Sequence, residues 1–422
     1  MKPLLSLVLF VLWVLAFPAV AFGEAALSFE EAVSQAVKKI EEVQSKESEL
    51  RSAEIARTQS QMRFLPDLSL SGTYAEAGKE FSGPHGITRS YGLRSNWNLF
   101  RFGGDYYNYK ASDLQTSSLK WDLKNTKIKM EESIAGKALD YVASHLETEI
   151  RKKVTLAQKN YFSIAEKRYG KGILSRQELD QITIDLRNAE ARLTDAELAE
   201  FQAAENLKIY LGTAEVTPQW PWLGQFRKIN KKALKFDFKT HPEWQYLENR
   251  VAAADAIKDS RFSEILPSVD FSLSYANENL PATGNTWNTQ WLGGLTLTIP
   301  LFSRLENYTV YRQAAETKIR SDLDLQRSSR DLTAQWKVSE NDFRAQLESA
   351  LVREQTLKIS NNLYQDNLRR FQAGRSTAND LLNDQERLCQ SELLAIQGWK
   401  AVHNSYIKLC HSLGQLVTEC RL

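Results

Sequence analysis

The three cysteines of this chain stand in its last stretch, at Cys389, Cys410 and Cys420. In an oxidising compartment, Cys410 and Cys420 would close a small loop that holds the C-terminal tail, with Cys389 left free on a helix. Three unpaired buried thiols are the other interpretation that the sequence leaves open. His403 and His411 lie nearby, but their spacing is not that of zinc ligands, so no metal site is predicted.

Residues that could carry catalysis show no recognisable arrangement. The sequence has no nucleophile elbow, no HExxH and no phosphate loop, and histidines such as His85 and His145 are scattered. We therefore expect neither an enzymatic reaction nor a cofactor. The 54 Lys and Arg nearly cancel the 52 Asp and Glu, which argues against a nucleic acid partner.

Residues 1–23 have the pattern of a secretory signal peptide. Lys2 precedes an apolar stretch from Leu4 to Val20, and small residues around Ala21 fit a cleavage site. A membrane anchor is the alternative interpretation of this stretch. No cysteine follows the cleavage region, so a lipid-anchored N-terminus is not expected. The sequence thus predicts an exported protein.

The rest of the chain repeats itself after about 200 residues. Residues 65–75, which begin Leu-Pro and end Tyr-Ala, return as residues 266–276, and Leu211-Gly212 returns as Leu413-Gly414. A tandem duplication keeps such register, whereas a chance motif does not. The predicted domains are a signal peptide (1–23), a first structural repeat (24–217), a linker (218–240), a second repeat (241–414) and a C-terminal tail (415–422).

Each half predicts one long helix between shorter ones. Residues 105–169 hold no proline and one glycine, and residues 303–371 hold neither, so each stretch can form a single helix, roughly 95 Å long for the first. Glycines then break each helix and turn the chain back. The shorter helices, 29–64 with 175–211 and 242–266 with 376–413, are expected to stack end to end beside the long ones.

Helix 175–211 carries a heptad seam with small residues at half of its positions, which lets a partner helix approach closely. The seam consists of Leu179, Ile182, Leu186, Ala189, Leu193 and Ala196.

Four segments alternate between apolar and polar residues, which predicts strands. Each is about nine or ten residues long, enough to cross a hydrocarbon layer at a tilt. A small soluble sheet packed on helices is one interpretation. The secretion signal and the lack of a second layer to pack against favour the other, a membrane barrel, which an open sheet can form only by closing with copies of itself. The predicted lipid-facing residues, with aromatic ones at the membrane interfaces, are Leu68, Leu70, Tyr74, Leu93, Trp97, Phe271, Leu273, Tyr275, Trp291, Leu295 and Leu297.

The ordered set of motifs resembles the TolC-like outer-membrane factor (outer membrane efflux protein) family over essentially all of the mature chain. No single motif is specific, but their order and duplicated spacing are. The motifs are Ser28-Phe29-Glu30-Glu31-Ala32-Val33, Phe64-Leu65-Pro66-Asp67-Leu68, Trp97-Asn98-Leu99-Phe100, Tyr169-Gly170-Lys171-Gly172, His241-Pro242-Glu243, Ile265-Leu266-Pro267-Ser268, Thr298-Ile299-Pro300-Leu301-Phe302, Phe371-Gln372-Ala373-Gly374 and Leu413-Gly414.

The resemblance implies an α+β membrane protein: a homotrimeric twelve-stranded β-barrel in the outer membrane of a Gram-negative bacterium, continuous with a long α-helical coiled-coil barrel in the periplasm. It implies the exit duct of a tripartite efflux pump or type I secretion system. The expected partners are two further copies of the chain, outer membrane lipid, a periplasmic adaptor (membrane fusion) protein and, through it, an inner-membrane pump or ABC transporter. A soluble periplasmic coiled-coil scaffold is the alternative function.

The resemblance also suggests gate residues near the second turn. Family members place aspartates after this turn, and the matching positions hold Asp380 and Asn383, with Asp384 beside the latter. A ring of Asp380 would favour cations or neutral solutes, whereas the alternative is a solvated carboxylate at a helix start. Arg375 stands one place before the expected gate arginine, and a closing contact to Glu178 or to a neighbouring chain is the hypothesis.

The two turns are the expected adaptor surface. Gly172 and Gly374 are predicted to end their helices in the left-handed conformation. The exposed residues beside them, Ile173 and Leu174 on one turn and Ala373 and Arg375 on the other, are the candidate contacts.

Overall fold

The computed structural model describes residues 29–77, 86–211, 220–221, 236–279, 286–301, 305–373, 375–417 and 419–420. The predicted signal peptide, most of the predicted linker and Gly374 lie outside these residues. The chain forms two compact units. The turn unit holds the described residues of Met1–Lys38, Ser133–Ile229 and Leu347–Asn404, and the sheet unit holds those of Lys39–Glu132, Asn230–Gln346 and Ser405–Leu422.

Long helices and one sheet make up the described residues. No helix among them is both long and apolar enough to cross a membrane. The elements are α1 (Phe29–Lys39), α2 (Glu41–Met62), β1 (Asp67–Ala77), β2 (Gly86–Phe100), α3 (Gly104–Gly170), α4 (Arg176–Leu211), a 3-10 turn (Phe238–Thr240), α5 (Pro242–Ser263), β3 (Ser268–Asn279), β4 (Trp287–Thr298), α6 (Glu306–Gln372) and α7 (Ala378–Ser412).

The helix predicted over residues 29–64 is two helices, so that prediction was wrong at Ile40. Ile40 has extended backbone (φ −70°, ψ 139°) and separates α1 from α2. Its side chain and that of Val43 are buried. The side-chain Nε2 of Gln44 donates to the Lys39 carbonyl at 3.0 Å, which satisfies an acceptor at the end of α1. The helix is therefore interrupted at a buried Ile40, without a Gly or Pro at the break.

In the turn unit, the predicted seam of α4 is confirmed. Ile182, Leu186, Ala189 and Ala196 are buried. The hydroxyl groups of Thr148 and Thr155 on α3 donate to the carbonyls of Ala196 and Ala189, each at 3.2 Å. Such contacts between a side chain and a facing helix backbone require small residues at the seam, which the alanines provide. The core of this unit therefore depends on close approach of α3 and α4.

In the sheet unit, four antiparallel strands pair in the order β1-β2-β3-β4. They are 11, 15, 12 and 12 residues long, longer than predicted. Strand β1 reaches Ala77, and β2 begins at Gly86. Backbone pairing continues past the point where the apolar alternation stops.

The C-terminal tail folds back onto the sheet unit. Cys410 and Cys420 form a disulfide, and Cys389 is a buried free thiol. The Val417 amide donates to Glu131 Oε2 at 2.7 Å, and the Tyr406 hydroxyl donates to the Cys420 carbonyl at 2.9 Å. The structure therefore confirms the predicted Cys410–Cys420 disulfide and not the alternative of three unpaired thiols.

Two glycines with similar backbone angles should respond differently to alanine. Gly172 and Gly414 have φ values of +70° and +72°. A Cβ at Gly172 would meet nothing within 4 Å, whereas at Gly414 it would lie 2.4 Å from Pro242 Cδ and 2.9 Å from His241 Cδ2. We expect Gly172→Ala to cost about 1–2 kcal/mol through backbone strain alone, and Gly414→Ala to cost about 1–3 kcal/mol more through overlap. Urea unfolding of the detergent-solubilised protein measures both, and equal losses would contradict the prediction.

His241 should make stability depend on pH. It begins α5: its Nδ1 accepts from the Glu243 amide at 3.2 Å, and its Nε2 lies 3.3 Å from the His411 carbonyl. Burial lowers the pKa of His241 from 6.5 to about 4. Between pH 6.5 and pH 4, this histidine is protonated in the unfolded chain but stays neutral in the native state. The free energy of unfolding therefore falls as the pH is lowered through this range, by about 2 kcal/mol at pH 5 relative to pH 7.

The matched variant is His241→Asn, because asparagine keeps an acceptor for the helix N-terminus but does not titrate. Urea midpoints at pH 7 and pH 5 should differ clearly less in this variant than in the native protein. An unchanged difference between the two pH values would exclude His241 as its source.

Candidate functional site

The register of the sheet places all eleven predicted lipid-facing residues on one face. Directly paired residues share a face, and side chains alternate along each strand. One continuous row crosses all four strands as Leu70, Leu93, Tyr275 and Trp291. The Tyr275 and Trp291 rings lie 4.7 Å apart. The remaining members are Leu68 and Leu273 in a second row, Trp97, Phe271 and Leu295 in a third, and Leu297 and Tyr74 toward opposite ends.

The other face of the sheet is polar. Serine, threonine and asparagine side chains dominate its rows, and the charged residues that the strands add are Asp67, Arg94, Asp270 and Glu278. Near the helical end, Asp270 accepts from Asn98 Nδ2 at 2.5 Å and lies 3.8 Å from Arg101. One face thus suits an apolar layer and the other suits water.

The first turn, between α3 and α4, is a Schellman motif closed by Gly172. The Ile173 amide donates to the Arg168 carbonyl at 3.0 Å, and the Gly172 amide donates to the Tyr169 carbonyl at 2.8 Å. Ile173 is 71% exposed, while Leu174 is half-buried. Of the two predicted contact residues, Ile173 therefore offers the larger apolar surface.

Helix α4 starts with a capping box. The Ser175 hydroxyl accepts from the Glu178 amide at 3.2 Å, and Glu178 Oε2 accepts from the Ser175 amide at 2.9 Å. These hydrogen bonds from Ser175 lower the pKa of Glu178. The carboxylate of Glu178 is thus engaged at its own helix start.

The second turn repeats this chemistry. The Thr377 hydroxyl accepts from the Asp380 amide at 3.2 Å and donates to Asp380 Oδ2 at 2.5 Å. The Arg375 amide donates to the Arg370 carbonyl at 2.8 Å, as the Ile173 amide does to Arg168 in the first turn. Thr377 therefore caps α7, and Asp380 completes the capping box by accepting from the Thr377 amide at 3.3 Å.

Asp384 links the end of α6 to the start of α7. It is only 9% exposed and accepts from Asn367 Nδ2 at 2.7 Å. Asn367 Oδ1 in turn accepts from the Ser376 hydroxyl at 2.5 Å. Arg387 Nη1 lies 3.6 Å from Asp384. This network fixes the returning chain, a role that the sequence did not reveal for Asn367.

A cleft of about 700 Å³ lies beside this network within the turn unit. Asn383 lines it and also a smaller pocket of about 260 Å³. Both acidic and basic side chains line the cleft, so one chain does not present a purely negative surface there. The charged lining consists of Asp366, Asp380, Asp384, Arg370, Arg375 and Arg387.

Residues 239–415 match the family model described as "Outer membrane efflux protein". This match covers the second half of the chain and shows that these residues are similar to outer membrane efflux proteins. The predicted resemblance to TolC-like outer-membrane factors is confirmed. The alternative of a soluble scaffold finds no support in these comparisons.

Solved outer membrane channels share the fold of this chain. The Campylobacter jejuni CmeC outer membrane channel is 15% identical with a TM-score of 0.77, covering 92% of this chain and 85% of that one. Vibrio cholerae VceC is 15% identical with a TM-score of 0.74, covering 92% and 96%. The open Neisseria gonorrhoeae MtrE channel is 13% identical with a TM-score of 0.78, covering 92% and 89%. No curated protein matches in sequence.

Within a single chain, the predicted gate residues form local contacts. No ion pair joins Arg375 to Glu178 among the described residues, because Glu178 is held by Ser175. Asp384 is an internal link rather than an exposed charge. A contact of Arg375 to a neighbouring chain and a ring of Asp380 remain predictions.

Proposed function

We propose that this protein is the homotrimeric exit duct of a tripartite efflux pump or type I secretion system. Three copies would build a twelve-stranded barrel in the outer membrane, continued by a periplasmic tunnel of helices. The observation that carries the proposal is a four-stranded sheet with one apolar face, one polar face and two edges that pair with no other strand among the described residues.

The edges require partners. Because β1 and β4 each pair on one side only, each leaves a row of backbone donors and acceptors unsatisfied. In hydrocarbon every such group costs several kcal/mol, so spanning sheets close into barrels. Joining β4 of one copy to β1 of the next satisfies both edges, and three copies close twelve strands.

The two faces fit this closure. The apolar face carries leucines with aromatic residues such as Trp287 and Trp291, which are 49% and 69% exposed in one chain. That pattern suits lipid with an aromatic girdle. The polar face would line a water-filled lumen.

The turns are the proposed docking points for the periplasmic adaptor, through which the duct meets an inner-membrane pump. Ile173 and Arg375 are exposed, and beneath them Arg168 lies over the Phe371 ring at 5.8 Å, so the two turns support one another. An exposed apolar side chain on a firm base is a good binding anchor.

The proposed trimer is tested by measuring the mass of the purified protein. Protein extracted from outer membranes with detergent should run as a trimer when the detergent contribution is subtracted. A monomer or dimer in the soluble fraction would overturn the proposal.

The docking surface is tested separately. Ile173→Asp should weaken binding to the cognate adaptor at least about tenfold, whereas Leu198→Asp, at an exposed leucine on α4 away from the turns, should not. Equal binding by both variants would remove Ile173 from the adaptor surface.

A further inference from the structure

We propose that Arg94 forms an anion-binding constriction at mid-height of the barrel lumen, which takes polyvalent carboxylate or phosphate groups of passing solutes. This inference rests on the trimeric duct proposed above. It adds a selective element at the membrane end of the duct, in a part of the fold where no resemblance suggested one.

The register puts Arg94 on the polar face. It lies opposite Ser69 on β1 and Ser274 on β3, whereas its neighbour Leu93 lies in the apolar row. Arg94 is exposed in the single chain. Since side chains alternate strictly, Arg94 faces the lumen wherever Leu93 faces lipid.

The side chains around Arg94 are small. The adjacent row on one side pairs Ser71, Gly92 and Ala276, and the row on the other side pairs Asn96 with Ser272. Gly92 leaves no room for a larger residue, because a Cβ there would lie 2.9 Å from the Tyr275 carbonyl. The large side chain in the same row, Leu292, lies on β4 beyond Ser274. No bulky side chain of these rows on β1 or β3 therefore covers the guanidinium, which can extend into the lumen.

Nearby carboxylates are otherwise engaged. Asp67, diagonal to Arg94, accepts from the Asn96 amide at 2.5 Å. Asp270 holds Asn98 and faces Arg101. Glu278 lies opposite Ser90, two rows away, or roughly 13 Å along the strand. Among the described residues, Arg94 accordingly forms no ion pair within 4 Å.

Threefold symmetry would turn this residue into a ring. Twelve tilted strands close a barrel roughly 24 Å across between opposite backbones, and three extended arginines narrow it. Three guanidinium groups in one confined ring raise the local concentration of anions. Each also offers a planar fork that matches a carboxylate or phosphate in two hydrogen bonds.

The test uses the detergent-purified full protein in a planar lipid bilayer, with citrate as the probe. Citrate, a trivalent carboxylate at neutral pH, is added only to the side that the barrel faces, and block of the single-channel current is recorded. The variants are Arg94→Gln, which removes the charge, and Arg94→Lys, which keeps it. Arg89→Gln is the matched control, because Arg89 is on the same strand but pairs with Tyr74 on the apolar face.

We expect citrate to block the native channel and Arg94→Lys, and the half-blocking concentration to rise at least about tenfold in Arg94→Gln. Arg89→Gln should match the native channel, and raised KCl should weaken the block. A native channel that citrate does not block, or equal block in Arg94→Gln, overturns the assignment of Arg94 while leaving the duct intact. Absence of any trimeric channel from the native protein would instead overturn the proposed function.

Discussion

Leu93→Lys is expected to prevent assembly of the trimer in the outer membrane. Leu93 is the central residue of β2 and belongs to the apolar row with Leu70, Tyr275 and Trp291. A lysine on the lipid face near the bilayer midplane costs about 2–4 kcal/mol. Three copies in one trimer multiply that loss to about 6–12 kcal/mol, which is comparable to the whole stability of many folded proteins.

Asn96→Lys is the matched control. Asn96 is on the same strand, three residues further on, and faces the polar side of the sheet. Its lysine would meet water in the lumen, so the trimer should form. The measurement is the amount of trimer recovered from outer membranes at equal expression. Normal recovery of Leu93→Lys, or equal loss in both variants, would show that the two faces of the sheet are not lipid and water.

The two faces of the sheet could be predicted from the sequence because side chains along a strand alternate with a period of two. Leu93 and Trp97 stand an even number of residues apart, and the structure keeps them on one face. The ends of the strands could not be predicted from the sequence. Around Asn277 and Glu278 the apolar alternation stops, yet backbone pairing to β4 continues. Backbone hydrogen bonds between strands do not depend on the alternation of apolar and polar side chains, so this alternation does not show where the pairing ends.

The gate shows a different limit. The sequence Thr377-Ala-Asn-Asp380 has the spacing of a capping box, and Ser175-Arg-Gln-Glu178 has the same spacing, so both caps could have been predicted locally. The resemblance instead suggested a ring of Asp380, which remains a prediction. Asn367 offered no signal at all, because its partners Asp384 and Ser376 meet it only after the chain turns back.

The break at Ile40 was also hidden. No glycine or proline stands there, and helix propensity alone favours continuation. The position leaves the helix while its side chain stays buried. Tertiary packing overrides a weak local preference in such cases.

Removing the disulfide between Cys410 and Cys420 is expected to lower the free energy of unfolding by about 3 kcal/mol. The bond spans a sequence separation of 10 residues, and closing a loop of that size restricts the unfolded chain by about this amount. It also holds the tail where Val417 reaches Glu131 and where the Cys420 carbonyl meets Tyr406. The tail should therefore loosen first when the bond is absent.

The variant is Cys410→Ala with Cys420→Ala, compared with the native protein by urea unfolding with and without dithiothreitol. Dithiothreitol that reduces the bond should lower the urea midpoint of the native protein toward that of the double variant. The urea midpoint of the double variant should not change. Cys389→Ala is the control, because Cys389 is buried and unpaired with a pKa raised by burial; it should respond to reductant as the native protein does.

Alkylation decides whether the bond exists in the exported protein. Under denaturing conditions without reductant, iodoacetamide should add one group per chain, at Cys389, and three after reduction. Three groups before reduction would mean that the tail is held by packing and hydrogen bonds alone. In that case dithiothreitol should leave the native urea midpoint in place, so the two measurements check one another.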